Sequence, residues 1–274
     1  MIQHIKNVLT DLAKNATGIT VLTGAGISAE SGIPTFRGPE GFWTIGSKEY
    51  HPQKMATYHM FTKKPDEVWT WYLYRMGICA QANPNPGHMA LVEMEKIFGD
   101  RFTLITQNVD NLHLRAGNSP EKTFQVHGNV FFMRCTRQCS ASVYRLPPEI
   151  NPKARNESLT DTDRQLLKCP DCGALTRPHV LWFDETYDED YYRFYSALQT
   201  ARNTDLLLTV GTSGATNLPT RVIQEVYAHG GTIIDINIEN NPFAQIAEIS
   251  HRGGCIKAPS ARALPEIVEC IRKM

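Results

Sequence analysis

The sequence lacks three features that would each point to a particular class of protein. It has no excess of charge of one sign, because 28 Lys and Arg residues balance 28 Asp and Glu residues, and this disfavours direct nucleic-acid binding by bulk attraction to phosphates. No apolar run approaches the roughly 20 residues that cross a bilayer, so no membrane partner is expected. Seven cysteines are too few, and odd in number, for a disulfide scaffold, which favours a reducing, cytoplasmic location.

What the sequence does contain is a series of short apolar runs separated by amphipathic segments. The runs are mostly apolar at consecutive positions, which is typical of strands covered on both faces of a parallel sheet. Segments with helical spacing, such as His88–Ile97 and Pro219–His229, lie between them. These patterns predict an α/β protein with an open, doubly wound parallel sheet. The predicted strands are Ile19–Thr23, Phe102–Thr106, Thr123–Val126, Val180–Phe183, Leu206–Val210, Thr232–Ile238 and Gly254–Lys257.

Two stretches do not follow this alternation and are predicted to be insertions. The first, residues 39–84, is rich in aromatic residues and helical in pattern. The second, residues 129–177, carries four of the seven cysteines around a polar segment, Asn151 to Gln165, that is expected to be a surface loop.

Glycines follow the first predicted strand directly, in the order Gly24-Ala25-Gly26. A strand that runs into glycines and then into a helical turn brings backbone N–H groups together, which suits a pyrophosphate. The spacing departs from the dinucleotide fingerprint, because Ala29 stands where that fingerprint has a glycine. On the glycines alone, nucleotide binding and a plain tight turn remain equal alternatives.

Four cysteines form two close pairs, Cys135 with Cys139 and Cys169 with Cys172. Four thiolates at such spacing fill a tetrahedral zinc shell and leave no position for a reacting water, so the predicted ion is one structural zinc. Scattered buried thiols are the alternative for these four. They are the preferred interpretation for the three remaining cysteines, Cys79, Cys255 and Cys270.

Polar residues follow several predicted strands at the point where each strand ends. The run Thr106 to Asn111 follows the second strand, and His127 follows the third. Ligand sites in doubly wound sheets lie outside the carboxyl ends of the strands, so these residues are candidates for hydrogen bonds to a ligand and for a general base. A turn that caps the next helix and a structural histidine are the alternatives. A second glycine turn, Gly211-Thr212-Ser213-Gly214, follows the strand Leu206–Val210.

Taken in order, these motifs resemble the sirtuin family over about residues 4 to 272. They are the fifteen residues from Gly24 to Gly38, then Gln107 to Asp110, His127-Gly128, the two cysteine pairs, Trp182 to Glu185 and Gly211 to Ser213. The resemblance implies a Rossmann-like NAD-binding domain built from residues 1–38, 85–128 and 178–274. It also implies a small domain made of the helical insertion 39–84 and the zinc-binding insertion 129–177.

The resemblance implies an NAD-dependent protein-lysine deacylase, which moves the acyl group from lysine to ADP-ribose and releases nicotinamide. His127 would remove a proton from a ribose hydroxyl, Asn108 and Asp110 would hold the nicotinamide carboxamide, and Gln107 would contact its ribose. Phe36 would shield the ribose face and Arg37 would orient the cofactor. The other implied cofactor-binding residues are Gly24, Ala25, Gly26, Glu30, Gly211, Thr212 and, towards the adenosine, Ser213, Asn237, Glu239 and Cys255.

The substrate is implied to be an acyl-lysine protein or peptide that adds as a strand to residues Val180 to Glu185. The first insertion resembles the sirtuin subclass that prefers acidic acyl groups such as succinyl, malonyl and glutaryl. Tyr72 and Arg75 lie three apart, on one face of a helix, and would bind the carboxylate. The alternative is an aromatic core helix with a solvated arginine. The implied substrate residues are Ala56, Tyr72, Arg75, Val180, Trp182, Phe183 and Glu185.

Two departures from the family pattern stand out. Asp184 replaces the usual glycine of the peptide-binding strand, and the turn after Gly211 reaches Pro219 one position later than usual.

The alternative functions are a plain deacetylase, an NAD hydrolase or ADP-ribosyltransferase, and a non-catalytic sensor. A monomer is expected.

Overall fold

The computed structural model describes residues 3–35, 52–154 and 157–273. The described residues form nine strands, numbered in chain order: β1 Ile19–Thr23, β2 Phe102–Thr106, β3 Thr123–Gln125, β4 Gly128–Cys135, β5 Val143–Arg145, β6 Thr176–Val180, β7 Leu206–Val210, β8 Thr232–Asn237 and β9 Gly254–Lys257. The described helices are α1 Gln3–Asn15, α2 Gly26–Ala29, α3 Pro52–Met55, α4 Tyr58–Lys63, α5 Pro65–Gln81, α6 Pro86–Phe98, α7 Leu112–Ala116, α8 Asp161–Leu166, α9 Glu189–Tyr192, α10 Phe194–Arg202, α11 Asn217–Ala228, α12 Pro242–Ile249 and α13 Ser260–Arg272.

Six strands form a parallel sheet in the order β3-β2-β1-β7-β8-β9. The order reverses between β1 and β7, and the last residue of β1, Thr23, aligns with Thr106 of β2 and Val210 of β7. Strands β1, β2 and β7 therefore end level at one edge of the sheet. Such a reversal is where doubly wound sheets open a crevice for ligands.

Helices cover both faces of this sheet because its strands are apolar on both sides. On one face, α1, α6 and α13 pack against alternate strand residues such as Val21 and Leu208. On the other, α10, α11 and α12 pack against the residues between them, such as Leu22 and Leu207. The predicted doubly wound parallel sheet is confirmed.

The remaining three strands form an antiparallel sheet in the order β5-β4-β6. Its apolar side chains share one core with the helix α5, including Val68 and Trp69 of that helix and Val130 and Met133 of β4. The indole Nε1 of Trp69 donates to the backbone carbonyl of Thr176 at 2.9 Å. Residues from the two predicted insertions thus pack together in one small module.

Two sequence-based expectations are wrong in this module. The apolar run Val180–Phe183 was expected to be a strand of the parallel sheet, but β6 ends at Val180 and pairs antiparallel with β4. Its apolar character reflects burial of Trp182 in the second core. The segment Asn151 to Gln165 is not all surface loop, because α8 begins in it. The buried Lys153 ammonium meets Asp163 of that helix at 2.8 Å.

Among the residues that the structure describes, no helix is both long enough and apolar enough to span a bilayer.

Candidate active site

The two predicted glycine turns meet backbone to backbone where the strand order reverses. The Gly24 N–H donates to the Val210 carbonyl at 2.9 Å, and the Gly26 N–H donates to the Gly211 carbonyl at 2.8 Å. A Cβ added to Gly26 would lie 2.6 Å from the Gly211 Cα, and Gly211 has a positive φ of 58°. Only glycines allow this approach. The turns that were predicted separately therefore form a single cradle.

A buried polar cluster follows β2, beside this cradle. The Asn108 amide donates to the Gly24 carbonyl at 3.0 Å and to Ser28 Oγ at 3.1 Å. The Ser28 hydroxyl donates to Asp110 Oδ2 at 2.7 Å, and the Leu112 N–H donates to Oδ1 at 2.9 Å. Burial raises the pKa of the Asp110 carboxyl in spite of these two bonds. The cluster holds Asn108 and Asp110 in fixed positions, as a selective polar subsite requires.

Gln107 joins the second strand to the second glycine turn. Its Nε2 donates to Thr212 Oγ1 at 2.9 Å, while the Thr216 hydroxyl donates to its Oε1 at 2.8 Å. The side-chain amide is thus engaged on both of its polar atoms within the protein. Its backbone carbonyl accepts a hydrogen bond from His127, which makes Gln107 a support of the predicted base.

His127 lies two residues beyond β3, at the same edge of the sheet. Its Nδ1 is 3.0 Å from the Gln107 carbonyl oxygen, and its Nε2 is 2.8 Å from the Tyr187 hydroxyl. A carbonyl only accepts, so Nδ1 carries the proton and Nε2 is the acceptor. Burial lowers the pKa of His127 to about 4, so the imidazole is neutral at pH 7. The structure thus presents a neutral imidazole whose Nε2 is unprotonated and can accept a hydrogen bond.

The predicted adenosine side lies at the ends of β7, β8 and β9. The Asn237 amide donates to the Thr212 carbonyl at 2.9 Å, which ties β8 to the second glycine turn. A cavity of about 220 Å³ opens beside it, and its lining includes Asp235, Asn237, Glu239, Cys255 and Lys257. Three predicted cofactor residues therefore line one cavity.

Asp235 was not predicted for this cavity. Its carboxylate accepts from Thr209 Oγ1 at 2.5 Å and from the Asn241 amide at 2.9 Å. Burial raises the pKa of its carboxyl.

The remaining predicted cofactor residues lie at different places. Ser213 is exposed in the second glycine turn. The Glu30 carboxylate accepts from the Ala261 N–H at 2.9 Å and the Ser260 hydroxyl at 3.2 Å, at the beginning of α13. The predicted roles of Phe36 and Arg37 fall outside the described residues.

Tyr72 and Arg75 lie in the interior of α5, and both are buried. The Arg75 guanidinium lies 4.8 Å from the centre of the Trp71 ring and 5.8 Å from that of Tyr72. Its positive charge lowers the pKa of Asp110 against the larger, opposite effect of burial. Arg75 is only 5% exposed, so the alternative of a solvated arginine is wrong.

Trp182 connects this pair to the predicted peptide-binding segment. Its indole Nε1 donates to the Tyr72 hydroxyl at 2.9 Å, and its ring is almost fully buried. Burial raises the pKa of the Tyr72 phenol to about 12, so the phenol stays protonated at neutral pH. The Trp182 indole occupies a lone pair of the phenol oxygen and leaves the phenol hydrogen to donate elsewhere.

Backbone N–H groups of the segment Val180 to Glu185 donate hydrogen bonds to other groups of the protein. The Leu181 N–H donates to the His127 carbonyl, and the Phe183 N–H donates to the Ala56 carbonyl, both at 3.0 Å. The Glu185 carboxylate accepts from the Trp182 N–H at 2.9 Å and from both terminal nitrogens of Arg177. The segment therefore contacts the predicted base, the small residue Ala56 and, through Trp182, Tyr72.

Asp184, which stands where the family usually has glycine, has a structural role. Its carboxylate accepts from the Tyr58 N–H at 2.7 Å and the His59 N–H at 3.0 Å, at the beginning of α4. The side chain thus attaches α4 to the Val180 to Glu185 segment.

The four predicted zinc ligands converge in the small module. The Sγ atoms of Cys135, Cys139, Cys169 and Cys172 all lie within 4.8 Å of one another. A tetrahedral zinc with bonds of about 2.3 Å separates its sulfurs by about 3.8 Å. Two of the pairs, Cys135 with Cys172 at 3.5 Å and Cys139 with Cys169 at 3.6 Å, are close to that spacing. Because four sulfurs complete the shell, the site suits a structural ion.

Sequence reasoning assigned no role to Ser28, Thr216 or Tyr187, although each contacts a predicted site residue. Ser28 stood inside the glycine motif, so its position was a usable signal. Tyr187 lies 60 residues from His127 in a segment without regular structure, and no pattern in the sequence indicates their contact.

The fold and site define an α/β nucleotide-binding protein with a separate four-cysteine module. The profile of the Sir2 family matches residues 24–217. A protein of Leptospira interrogans serogroup Icterohaemorrhagiae serovar Lai, named NAD-dependent protein deacylase, is 38% identical over 264 residues, which are 96% of this chain and 97% of that protein. The chain therefore belongs to the Sir2 family, and the resemblance to sirtuins is confirmed.

Two solved structures are similar over almost the whole chain. A mutant Sir2 homologue in complex with ADP-ribose has a TM-score of 0.81 at 34% identity, covering 100% of this chain and 97% of that one. A Sir2 homologue in complex with NAD has a TM-score of 0.79 at 33% identity, covering 98% and 94%.

Proposed function

We propose that this protein is an NAD-dependent protein-lysine deacylase that prefers succinyl, malonyl or glutaryl groups to acetyl groups. The observation that carries the proposal is the neutral His127 imidazole at the carboxyl edge of the sheet, held at Nδ1 by the Gln107 carbonyl. The relative from Leptospira interrogans is named NAD-dependent protein deacylase, which supports the same activity. The substrate would be an acyl-lysine protein or peptide.

The residues at the carboxyl edge of the parallel sheet are suited to binding NAD. The glycine cradle allows a pyrophosphate to approach the backbone, and the cavity beside Asn237 and Cys255 suits the adenosine. Asn108 and Asp110 would hold the nicotinamide carboxamide, because their amide and carboxyl groups are buried and oriented by Ser28. When bound, NAD supplies an electrophilic ribose carbon as its nicotinamide leaves.

His127 would act as the general base. With a pKa of about 4, the imidazole is almost entirely neutral at pH 7, and Nε2 can accept a proton from a ribose hydroxyl. The same burial makes the imidazolium unstable, so the proton is held at Nε2 only briefly. The amine of the departing lysine is a much stronger base and can carry that proton away.

Tyr72 and Arg75 would select the acyl group. A guanidinium and a protonated phenol together suit a carboxylate, because both donate hydrogen bonds and one is always charged. The bond from the Trp182 indole fixes the phenol oxygen, and the Phe183 N–H fixes the carbonyl of Ala56. Ala56 has a small side chain, which leaves room for a longer acyl chain. The proposed acidic preference therefore depends mainly on Arg75.

Purified protein with NAD and matched peptides tests this assignment. We expect removal of succinyl from lysine to be faster than removal of acetyl. The variant Arg75→Met should lose that preference by at least tenfold, because a buried ion pair with the substrate carboxylate disappears, and should retain deacetylation. Arg145→Met, which changes an exposed arginine of β5, is the matched control and should behave as the wild type. Equal loss of both activities in Arg75→Met would contradict carboxylate recognition by this residue.

A further inference from the structure

The Tyr187 phenol makes the only hydrogen bond to His127 Nε2 among the described residues, at 2.8 Å. Because the Gln107 carbonyl fixes the proton on Nδ1, Nε2 has one lone pair and the phenol must donate to it. The lone pair that receives the phenol hydrogen is the one a general base needs. The phenol hydroxyl thus occupies the place at Nε2 that the substrate hydroxyl would take when His127 removes its proton.

The Tyr187 side chain is also held in place by packing of its ring. Its ring stacks on Phe194, with centroids 6.1 Å apart and planes 27° from parallel. Burial raises the pKa of the Tyr187 phenol. Tyr187 therefore stays protonated across the working pH range and keeps its hydrogen for His127. The stacking on Phe194 also connects the base to α10.

We propose that Tyr187 is a positioning residue for His127, which keeps the imidazole neutral and oriented until a ribose hydroxyl replaces the phenol at Nε2. This inference rests on the proposed function, because that function supplies the ribose hydroxyl. In the part of the chain that the structure describes, the groups that meet the two ring nitrogens are the Gln107 carbonyl and the Tyr187 phenol. Burial is the main cause of the low pKa, and no charged side chain contributes to it.

The effect of the phenol on the pKa of His127 depends on which form of the imidazole the phenol stabilises. A donor to Nε2 stabilises only the neutral ring, because the charged ring carries a hydrogen at that nitrogen. Removing the hydroxyl should therefore raise the His127 pKa by roughly half a unit to one unit, the equivalent of one neutral hydrogen bond. It should also release one of the two anchors that fix the ring plane.

The test compares Tyr187→Phe with Tyr195→Phe, which removes a phenol hydroxyl from an exposed residue of α10. Nitrogen NMR of zinc-loaded, ¹⁵N-histidine-labelled protein reports the protonation of each ring nitrogen. The wild type should show His127 with a hydrogen on Nδ1, and Nε2 should stay largely unprotonated down to pH 5. Tyr187→Phe should begin to protonate Nε2 at a higher pH, and Tyr195→Phe should match the wild type. A wild-type tautomer with the hydrogen on Nε2, or identical titrations in all three proteins, would overturn the inference.

Kinetics separate a positioning role from damage to the fold. Under the proposed function the base acts after nicotinamide has left, so Tyr187→Phe should slow acyl transfer by roughly tenfold while exchange of labelled nicotinamide into NAD continues at the wild-type rate. Equal loss of both reactions would overturn the inference. If the wild type lacks acyl transfer, the proposed function fails, whereas the titrations still decide whether Tyr187 controls His127.

Discussion

Replacing Asp184, the residue that departs from the family glycine, tests whether its carboxylate holds α4 against the Val180 to Glu185 segment. The Tyr58 and His59 N–H groups at the beginning of α4 have no partner within that helix, and the Asp184 carboxylate accepts from both. Thr57 accepts from the next N–H, that of Met60, at 3.1 Å. Asp184→Ala would leave two of these three backbone donors to water.

The magnitude follows from the two lost bonds. Loss of a capping side chain costs about 0.5–2 kcal/mol, and the exposure of Asp184 to solvent favours a value near 1 kcal/mol. For a chain of this size, that corresponds to a fall of about 2–4 °C in the thermal midpoint. Because the neighbouring Phe183 N–H also binds the Ala56 carbonyl, we expect the KM for acyl peptide to rise while the KM for NAD is unchanged.

Thermal unfolding and steady-state kinetics measure these effects on the same preparations. Asp184→Asn retains an acceptor oxygen and should recover most of the loss, since asparagine caps helices about as well as aspartate. Asp190→Ala, which removes another exposed carboxylate nearby, is the control for a change of charge. Equal midpoints for Asp184→Ala and Asp190→Ala would refute the argument that the two backbone bonds stabilise the module.

Two further predictions concern the metal and the response to acid. Cys169→Ser, or removal of metal by a chelator, should lower both zinc content and the thermal midpoint, because four thiolates hold the module through the ion; an unchanged midpoint in metal-free protein would contradict a structural zinc. Stability should fall as the pH drops from about 6.5 towards 4, because burial lowers the pKa values of His88 and His127 to about 4, and the unfolded chain takes up protons first. The His88 shift alone is worth about 3 kcal/mol, so His88→Gln should flatten the pH dependence of the midpoint measured with zinc still bound.

The parts of the site that the sequence predicts are those that follow from strand ends. Parallel strands in a doubly wound sheet bring their carboxyl ends to one edge, so Gly24, Gln107 and Gly211 meet although they are far apart in the chain. The cysteine spacing likewise predicts a convergence that the structure confirms for the four Sγ atoms. These motifs can be recognised in short stretches of the sequence, and the strand order of the sheet brings the strand-end motifs together.

The parts that the sequence could not predict depend on tertiary contacts. Nothing local to Glu30 indicates that its carboxylate accepts from residues at the beginning of α13. The run Val180–Phe183 has the composition of a buried strand, but its burial comes from the packing of Trp182 against α5. The bond from Tyr187 to His127 joins segments with no shared pattern. The monomeric state and the cytoplasmic location stay predictions.

The most direct measurement is mass spectrometry of the ribose product formed from NAD and a succinyl-lysine peptide. We predict succinyl-ADP-ribose in equal amount to the free nicotinamide and the unmodified lysine, and its loss in His127→Ala. Plain ADP-ribose in the first turnovers, with the succinyl group still on lysine, would contradict the proposed deacylase activity and indicate an NAD hydrolase.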